Sequence, residues 1–326
     1  MSVTRLFLLT KTFLDCILTK IRNTVKKKRN KEKMKNGKYV YKDEAAMKKM
    51  HEFYNKTLVS LDVLYEEENF DTTFGKTHCI IAGDTSKPMI CTIHGGNGIT
   101  TLNLKLFKPL LSRYCILTPD VIGMPGKSEP YRNISSSRDE YGIWIRDILD
   151  HYGVKKIPFV VSSYSASIFL SFAKDYPEMV DKALLLVPSG IAHGPYLSML
   201  FKLIVPFTKY YFRPSRKTLA SVMEILGGED DEVWSEFFDL MMGLYKMELK
   251  GPKEYGPKDL AMFTSPLLIA ASPTDIFFPA DRVFKKADEI FTGHVTKLEI
   301  NCKHLPDEDT MAEVCRKTLE FFEDNG

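Results

Sequence analysis

The chain has 326 residues, 44% of them hydrophobic and 27% charged, which excludes a largely disordered protein and predicts a soluble globular one. No apolar run approaches the roughly 20 residues that cross a bilayer as a helix. The net charge of +3 combines a basic head with an acidic body: residues 1–42 hold 13 Lys and Arg against two acids, and the remainder holds 32 against 40. This asymmetry indicates an anionic surface as a partner of the head.

Residues 5–38 of the head combine an amphipathic pattern with a run of basic residues. Apolar side chains recur at helical spacing up to Ile21, and ten basic residues follow from Lys20 to Lys38. An amphipathic helix beside a polybasic stretch is typical of a segment that lies on an anionic membrane. We therefore predict a cytoplasmic protein that is peripheral on a membrane. The alternatives for the head are a solvated tail, a helix docked on the body, or a degenerate signal anchor whose apolar region is interrupted by Lys11 and Asp15.

The body is predicted to be an α/β structure with a mostly parallel sheet. A helix over residues 43–61 precedes a hairpin of strands over 63–70 and 77–82. Short apolar runs then alternate with helical segments, which is typical of parallel strands joined by crossover helices. The predicted strands cover residues 89–93, 114–117, 159–161, 183–187, 267–271 and 296–300.

One crossover helix carries clear signals at both ends. Ser137 and Glu140 have the spacing of a capping box, which predicts that the helix begins at Ser137. Gly153 stands where a glycine commonly ends a helix. The predicted apolar face consists of Tyr141, Trp144, Ile145, Ile148, Leu149 and Tyr152.

About 80 residues between the fourth and fifth of these runs, from Val187 to Leu267, contain no convincing strand, which is far too many for an ordinary loop. Their composition is helical and rich in aromatic and Met residues. We therefore predict a helical cap over residues 188–264, inserted into a core formed by residues 43–187 and 265–326.

Three predicted strand ends carry side chains that suit nucleophilic catalysis. The run at 160–167 passes from strand to helix, and Ser165 is the predicted centre of that sharp turn, with Ser163 and Ser167 as its small neighbours. The strand over 267–271 leads to Asp275, and the strand over 296–300 leads to His304. Because parallel strands end at one edge of a sheet, Ser165, Asp275 and His304 are predicted to converge.

These motifs together resemble the α/β-hydrolase family over about residues 60–324. The family's oxyanion turn matches His94-Gly95-Gly96, its D-x-x-G motif matches the segment from Asp120 to Gly123, and its variable cap matches residues 188–264. The resemblance implies that Ser165 is the nucleophile, His304 its base and Asp275 the acid that orients the base.

The resemblance also implies an oxyanion hole and a set of neighbouring side chains. The N–H groups of Gly96 and Ala166 are expected to bind the oxyanion. His94 is expected to support the turn, and Asn97, Tyr164 and His193 are candidates for substrate contact or structural support.

The predicted function is hydrolysis of an ester, or of another acyl bond, in a moderately apolar small molecule through an acyl-enzyme on Ser165. A non-catalytic protein that binds a membrane surface and an acyltransferase with the same three residues are the alternatives. No metal, cofactor or nucleic acid is expected. The six cysteines form no C-x-x-C pair and no metal-ligand spacing, and they are interpreted as reduced, mostly buried thiols.

Overall fold

The computed structural model describes residues 37–227, 231–248 and 250–324, with the backbone alone for residues 196–201 and 204. The predicted amphipathic helix of the head lies outside these residues. Within them, no helix combines the length and apolar character needed to cross a membrane.

The strands are β1 Lys38–Tyr39, β2 Tyr65–Thr72, β3 Gly75–Ala82, β4 Met89–Ile93, β5 Cys115–Pro119, β6 Tyr131–Arg132, β7 Ile157–Ser162, β8 Val180–Leu186, β9 Leu267–Ala271 and β10 Val295–Glu299. The helices are α1 Glu44–Ser60, α2 Thr100–Phe107, α3 Glu140–His151, α4 Tyr164–Asp175, α5 Tyr196–Phe212, α6 Arg216–Leu226, α7 Glu232–Leu244, α8 Ala280–Ile290 and α9 Glu308–Glu323.

Eight strands form the main sheet in the order β10-β9-β8-β7-β4-β5-β3-β2. The hairpin β2–β3 and the β3–β5 pair are antiparallel, and the remaining pairs are parallel. Strands such as β7 are buried on both faces, which explains their continuous apolar sequence. The predicted α/β fold with its mostly parallel sheet is confirmed.

Helices cover both faces of the sheet and define two apolar cores. On one face α3, α4 and α8 pack against side chains such as Phe159 and Val161, and on the other face α1, α2, α7 and α9 pack against side chains such as Val160. Alternate residues of a strand point to opposite faces, so each central strand contributes to both cores. This packing fixes the positions at which the parallel strands end.

Helix α3 begins later than predicted. Its first residue is Glu140, and Ser136–Arg138 forms a short 3₁₀ turn before it. The residue that precedes the helix, Asp139, has a φ of 54°, and the Glu140 carboxylate accepts from the N–H of Ser135. The predicted capping box at Ser137 is therefore wrong, whereas Gly153 does follow the helix with a φ of 68°. Of the predicted apolar face, Tyr141, Trp144, Ile145, Ile148 and Leu149 are buried.

Residues 188–264, here called the cap, contain helices α5, α6 and α7. Helix α7 packs against α1, where the stacked rings of Phe53 and Phe237 lie 6.0 Å apart. After α7 the chain is tied to the core by Glu248, whose backbone N–H donates to Asn97 Oδ1 and whose C=O accepts from Asn97 Nδ2. The cap is thus fastened to the core on two sides.

The described part of the chain joins the body before the predicted boundary at residue 42. Strand β1 pairs with β6 in a separate two-stranded ribbon, and Val40 and Tyr41 are fully buried. The Tyr41 hydroxyl donates to the C=O of Gly126. The apolar side chains of this short segment explain why it packs on the body despite its place at the end of a basic run.

Candidate active site

A sharp turn between β7 and α4 places one serine at the edge of the sheet. Strand β7 ends at Ser162 and helix α4 begins at Tyr164, so Ser163 is the single residue between them. Its φ of 54° and ψ of −125° lie where non-glycine residues are strained. The Ser163 N–H donates to Leu186 O at 2.9 Å, and its C=O accepts from the N–H and hydroxyl of Ser189. Neighbouring backbone therefore holds this conformation.

Ser163, His304 and Asp275 form a continuous chain of hydrogen bonds. Ser163 Oγ lies 2.9 Å from His304 Nε2, and His304 Nδ1 lies 2.9 Å from Asp275 Oδ2. The Asp275 side chain is fully buried, while 13% of the His304 side chain is exposed. A carboxylate on one imidazole nitrogen and a hydroxyl on the other is the arrangement that lets a histidine accept a serine proton.

Hydrogen bonds within and between the loops after β9 and β10 hold Asp275 and His304 in place. The second oxygen of the Asp275 carboxylate accepts from the N–H of Phe277 at 2.8 Å and of Phe278 at 3.3 Å. The C=O of Cys302 accepts from the hydroxyls of Ser272 and Thr274, which joins the two loops. These contacts leave the carboxylate little freedom to turn away from the imidazole.

Ser165, the predicted nucleophile, does not meet His304. It is the second residue of α4 and has no exposed surface. Its hydroxyl donates toward the C=O groups of Ile93 and Ser162 and accepts from the Ser162 N–H. The prediction of Ser165 at the centre of the turn is therefore wrong: it is the small residue two positions after the centre, and its hydroxyl ties the ends of β4 and β7 together.

The sequence alone does not show which serine stands at the centre of the turn. The residue at the centre of such a turn follows its strand directly, and β7 continues through Ser162, one residue beyond the predicted strand end. Four serines within six residues made the small-residue pattern fit more than one register.

Gly96 and Tyr164 line the cavity beside Ser163, and their backbone N–H groups are the candidates for an oxyanion hole. Tyr164 is the first residue of α4, where an N–H has no acceptor within the helix, and Gly96 lies against it. A Cβ at Gly96 would stand 2.9 Å from Tyr164 Cβ, so only glycine permits this approach. The predicted role of Gly96 agrees with this geometry. The predicted role of Ala166 does not, because its N–H donates to the C=O of Ser163.

His94 supports the turn after β4. It is 1% exposed, its Nε2 accepts from the N–H of Val121 at 2.9 Å, and its Nδ1 lies 2.9 Å from Gly95 O. Burial lowers the pKa of His94 below its usual 6.5. A neutral imidazole satisfies both contacts, so His94 links two loops beneath the site and is not a second base.

Hydrogen bonds of the Asp120 carboxylate hold the loop that follows β5 in place. One oxygen of its fully buried carboxylate lies 2.9 Å from His78 Nδ1 and accepts from the N–H of Lys127 at 2.9 Å. Burial alone would raise the pKa of Asp120, but the hydrogen bond and charge of His78 outweigh it and lower the pKa. The D-x-x-G motif therefore has a structural role beside the site.

An apolar cavity of about 580 Å³ opens onto Ser163 and His304. The cap supplies much of its wall, and the ring of Phe277 packs 4.7 Å from the His304 ring. Its larger lining side chains include Phe207, Trp234, Phe237, Phe238, Met241 and Phe277. A pocket of this size and character suits a small molecule with apolar groups.

A few polar residues interrupt the apolar wall. Tyr164 and His193 line the cavity as predicted candidates, and His193 Nε2 lies 3.0 Å from Glu254 Oε1. Asn97 also lines it, but both ends of its amide are taken by Glu248. Asn103 also lines the cavity and was not predicted from the sequence; it is 3% exposed, and its Nδ2 has no hydrogen-bond partner among the described residues. Within these same residues no cluster of His, Cys, Asp or Glu could hold a metal ion.

Comparison with known proteins agrees with the fold. A family model described as alpha/beta hydrolase fold matches residues 88–214. The uncharacterized carboxylesterase nap of Bacillus subtilis is 29% identical over 139 residues, which cover 43% of this chain and 46% of that protein. The alignment therefore spans about half of that relative.

Solved structures extend the likeness over most of the chain. The carboxylesterase CesB of Bacillus subtilis has a TM-score of 0.71 at 18% identity, covering 86% of this chain and all of that one. The naproxen esterase of the same organism also has a TM-score of 0.71, at 19% identity, and the match covers 84% and 97% of the two chains. The chain therefore has the α/β-hydrolase fold, and the resemblance found in its motifs is confirmed.

Proposed function

We propose that this protein is a carboxylic ester hydrolase whose nucleophile is Ser163. The observation that carries the proposal is the hydrogen-bonded chain from Ser163 through His304 to Asp275, at the base of an apolar cavity. The relatives named as carboxylesterases support the reaction class. The hydrogen bonds that join Ser163, His304 and Asp275 favour an enzyme over the alternative of a non-catalytic binding protein.

The first half of the reaction acylates the enzyme. His304 Nε2 takes the proton of Ser163 Oγ as that oxygen bonds to the ester carbonyl carbon, and Asp275 stabilises the resulting imidazolium. The negative oxygen of the tetrahedral intermediate accepts from the N–H groups of Gly96 and Tyr164. The carbon–oxygen bond to the alcohol then breaks, and the alcohol leaves with the proton from His304.

The second half repeats these steps with water. His304 removes a proton from a water molecule, whose oxygen attacks the acyl carbon bound to Ser163. The bond to Ser163 Oγ breaks, Oγ regains a proton from His304, and the carboxylic acid is released. Replacing water with an alcohol in this step would give acyl transfer, so product analysis with added alcohol separates the two activities.

The cavity supports a substrate with an apolar acyl or alcohol group. Aromatic and Met side chains from the cap form much of the wall, and burial of apolar surface there favours binding. Ser163 and the backbone of Gly96 and Tyr164 supply polar groups beside this apolar surface for the ester carbonyl. An aryl or medium-chain alkyl ester has the required combination.

A fluorophosphonate probe tests the assignment of the nucleophile. The parent chain should be labelled and should hydrolyse p-nitrophenyl esters, and Ser163→Ala should abolish labelling and lower kcat by at least about 10³-fold. Ser165→Ala is the matched control: it removes a buried structural hydroxyl, so it should cost about 1–2 kcal/mol of stability yet keep labelling. Labelling that survives in Ser163→Ala, with circular dichroism showing both variants folded, would contradict the proposal.

A further inference from the structure

Helix α5 has two faces of different character. Leu203 and Phe207 line the cavity, and Tyr210 is 4% exposed and donates to the carboxylate of Asp239. These three positions follow the spacing of one helix face. The hydrogen bond to Asp239, on α7, fixes which face of α5 points toward the cap interior.

The rest of the helix surface carries apolar side chains that contact solvent. Val205, Tyr211 and Phe212 are 47%, 71% and 75% exposed. The rings of Tyr211 and Phe212 form an edge-to-face pair with centroids 5.3 Å apart, so they stand together as one apolar projection. Two adjacent aromatic rings with most of their surface in water indicate a surface that binds a partner.

The charged residues that flank this aromatic pair in the sequence are all basic. Five basic residues lie between positions 202 and 217, and no acid occurs between His193 and Glu224. The five are Lys202, Lys209, Arg213, Arg216 and Lys217, and all are exposed. In the part of the chain that the structure describes, none of them forms an ion pair with a carboxylate. We call the exposed side of residues 202–217 the cap outer face.

We propose that the cap outer face binds the surface of an anionic phospholipid membrane. Exposed aromatic side chains are suited to the boundary between headgroups and acyl chains, and basic residues around them bind anionic headgroups. A second copy of the chain is disfavoured as an occupant, because two such faces brought together would repel each other. The inference does not depend on the proposed ester hydrolysis.

Helix α5 lies between the cap outer face and the cavity, so membrane contact at that face would affect access to the site. The inner side of α5 lines the cavity, so a membrane bound to the outer side would bring the cap, and the cavity beneath it, close to the lipid. Apolar esters partition into membranes, and this orientation would place their source next to the site.

Tryptophan fluorescence tests the contact directly. The full chain carrying Phe212→Trp should show a blue-shifted emission with vesicles of phosphatidylcholine and phosphatidylglycerol, and brominated acyl chains should quench it. Leu64→Trp is the matched control, since Leu64 is 78% exposed and lies outside the cap. Both are read against the parent chain, which already contains Trp144 and Trp234. An unchanged Phe212→Trp emission, or an equal response at position 64, overturns the proposal.

Co-sedimentation separates this face from the basic head. In a full chain with Lys26, Lys27, Lys28 and Arg29 changed to Gln, the further pair Tyr211→Ser and Phe212→Ser should lower binding to anionic vesicles by at least about fivefold. Hydrolysis of a soluble ester should stay unchanged, and Leu64→Ser should bind like its parent. Equal binding with and without the serine pair overturns the proposal, as does a loss of dimer in sedimentation velocity caused by that pair.

Discussion

The imidazole of His304 makes contacts on several sides. Asp275 accepts at one nitrogen, Ser163 lies at the other, and the rings of Phe277 and Phe278 pack beside it at 4.7 and 5.7 Å. Phe277 and Phe278 also donate their backbone N–H groups to Asp275, so one short segment both orients the acid and shields the imidazole. A polar chain surrounded by apolar rings keeps its geometry because water competes poorly for its hydrogen bonds.

At the residue scale, His94 predicts a dependence of stability on pH. Its pKa is lowered mainly by burial, so between that folded value and the usual 6.5 the unfolded chain binds a proton that the native chain does not. The free energy of unfolding should therefore fall as the pH decreases through this range, by up to about 1.4 kcal/mol per pH unit. Urea unfolding at about pH 7.5 and about pH 5.5 measures the effect.

Two variants test whether His94 causes this dependence of stability on pH. His94→Gln removes the titrating group, so its stability should change less between the two pH values than that of the parent chain. His294→Gln, at an exposed position, should leave the dependence unchanged. A parent-like slope in His94→Gln would show that other groups cause it.

At the scale of elements, α1 and the cap helix α7 behave as one packed unit. Phe53 is 4% exposed and Phe237 is 1% exposed, and their rings stack at an interplanar angle of 29°. The ion pair of Lys56 with Glu236 joins the same helices, but both side chains are largely exposed, so it adds little. Aromatic packing therefore positions α7, and this helix contributes Trp234, Phe238 and Met241 to the cavity wall.

We expect Phe53→Ala to affect both stability and substrate binding. Removal of the buried ring should lower the free energy of unfolding by about 3 kcal/mol or more. Because Phe237 also lines the cavity, KM for an apolar ester should rise while probe labelling of Ser163 persists. Val59→Ala on the exposed side of α1 is the control and should change neither quantity, since Val59 is 69% exposed. An unchanged KM in Phe53→Ala would show that α1 does not position the cavity wall.

At the scale of the whole molecule, two stretches of the sequence concentrate positive charge. The head carries 13 basic residues within its first 42 positions, and the cap outer face carries five more within an otherwise acidic body. The head's predicted membrane contact stays a proposal, since residues 1–36 lie outside the described part of the chain. Two basic regions would act together on one anionic surface if both can reach it.

The head predicts salt-sensitive binding to anionic vesicles. Changing Lys26, Lys27, Lys28 and Arg29 to Gln in the full chain should weaken co-sedimentation by about tenfold or more, at roughly 1 kcal/mol per basic residue. Binding of the parent chain should also fall as salt rises from about 0.05 to about 0.5 M, because ions screen exposed charges. Neutral vesicles are the control. Binding that is indifferent to salt and to these substitutions would exclude an electrostatic role for the head.

Most of the strands, the helical insertion, Asp275 and His304 were predictable from local sequence. Buried parallel strands have continuous apolar sequences, and Asp275 and His304 each follow such a run, so periodicity and strand ends were enough to find them. The sequence did not identify the serine, because Ser162, Ser163, Ser165 and Ser167 are chemically alike. Only the tertiary structure decided among them, since the close packing of β4, β7 and β8 imposes a positive φ at Ser163 and buries Ser165. The cap outer face was likewise set by tertiary packing, because contacts with the cavity and with Asp239 determine which side of α5 meets solvent.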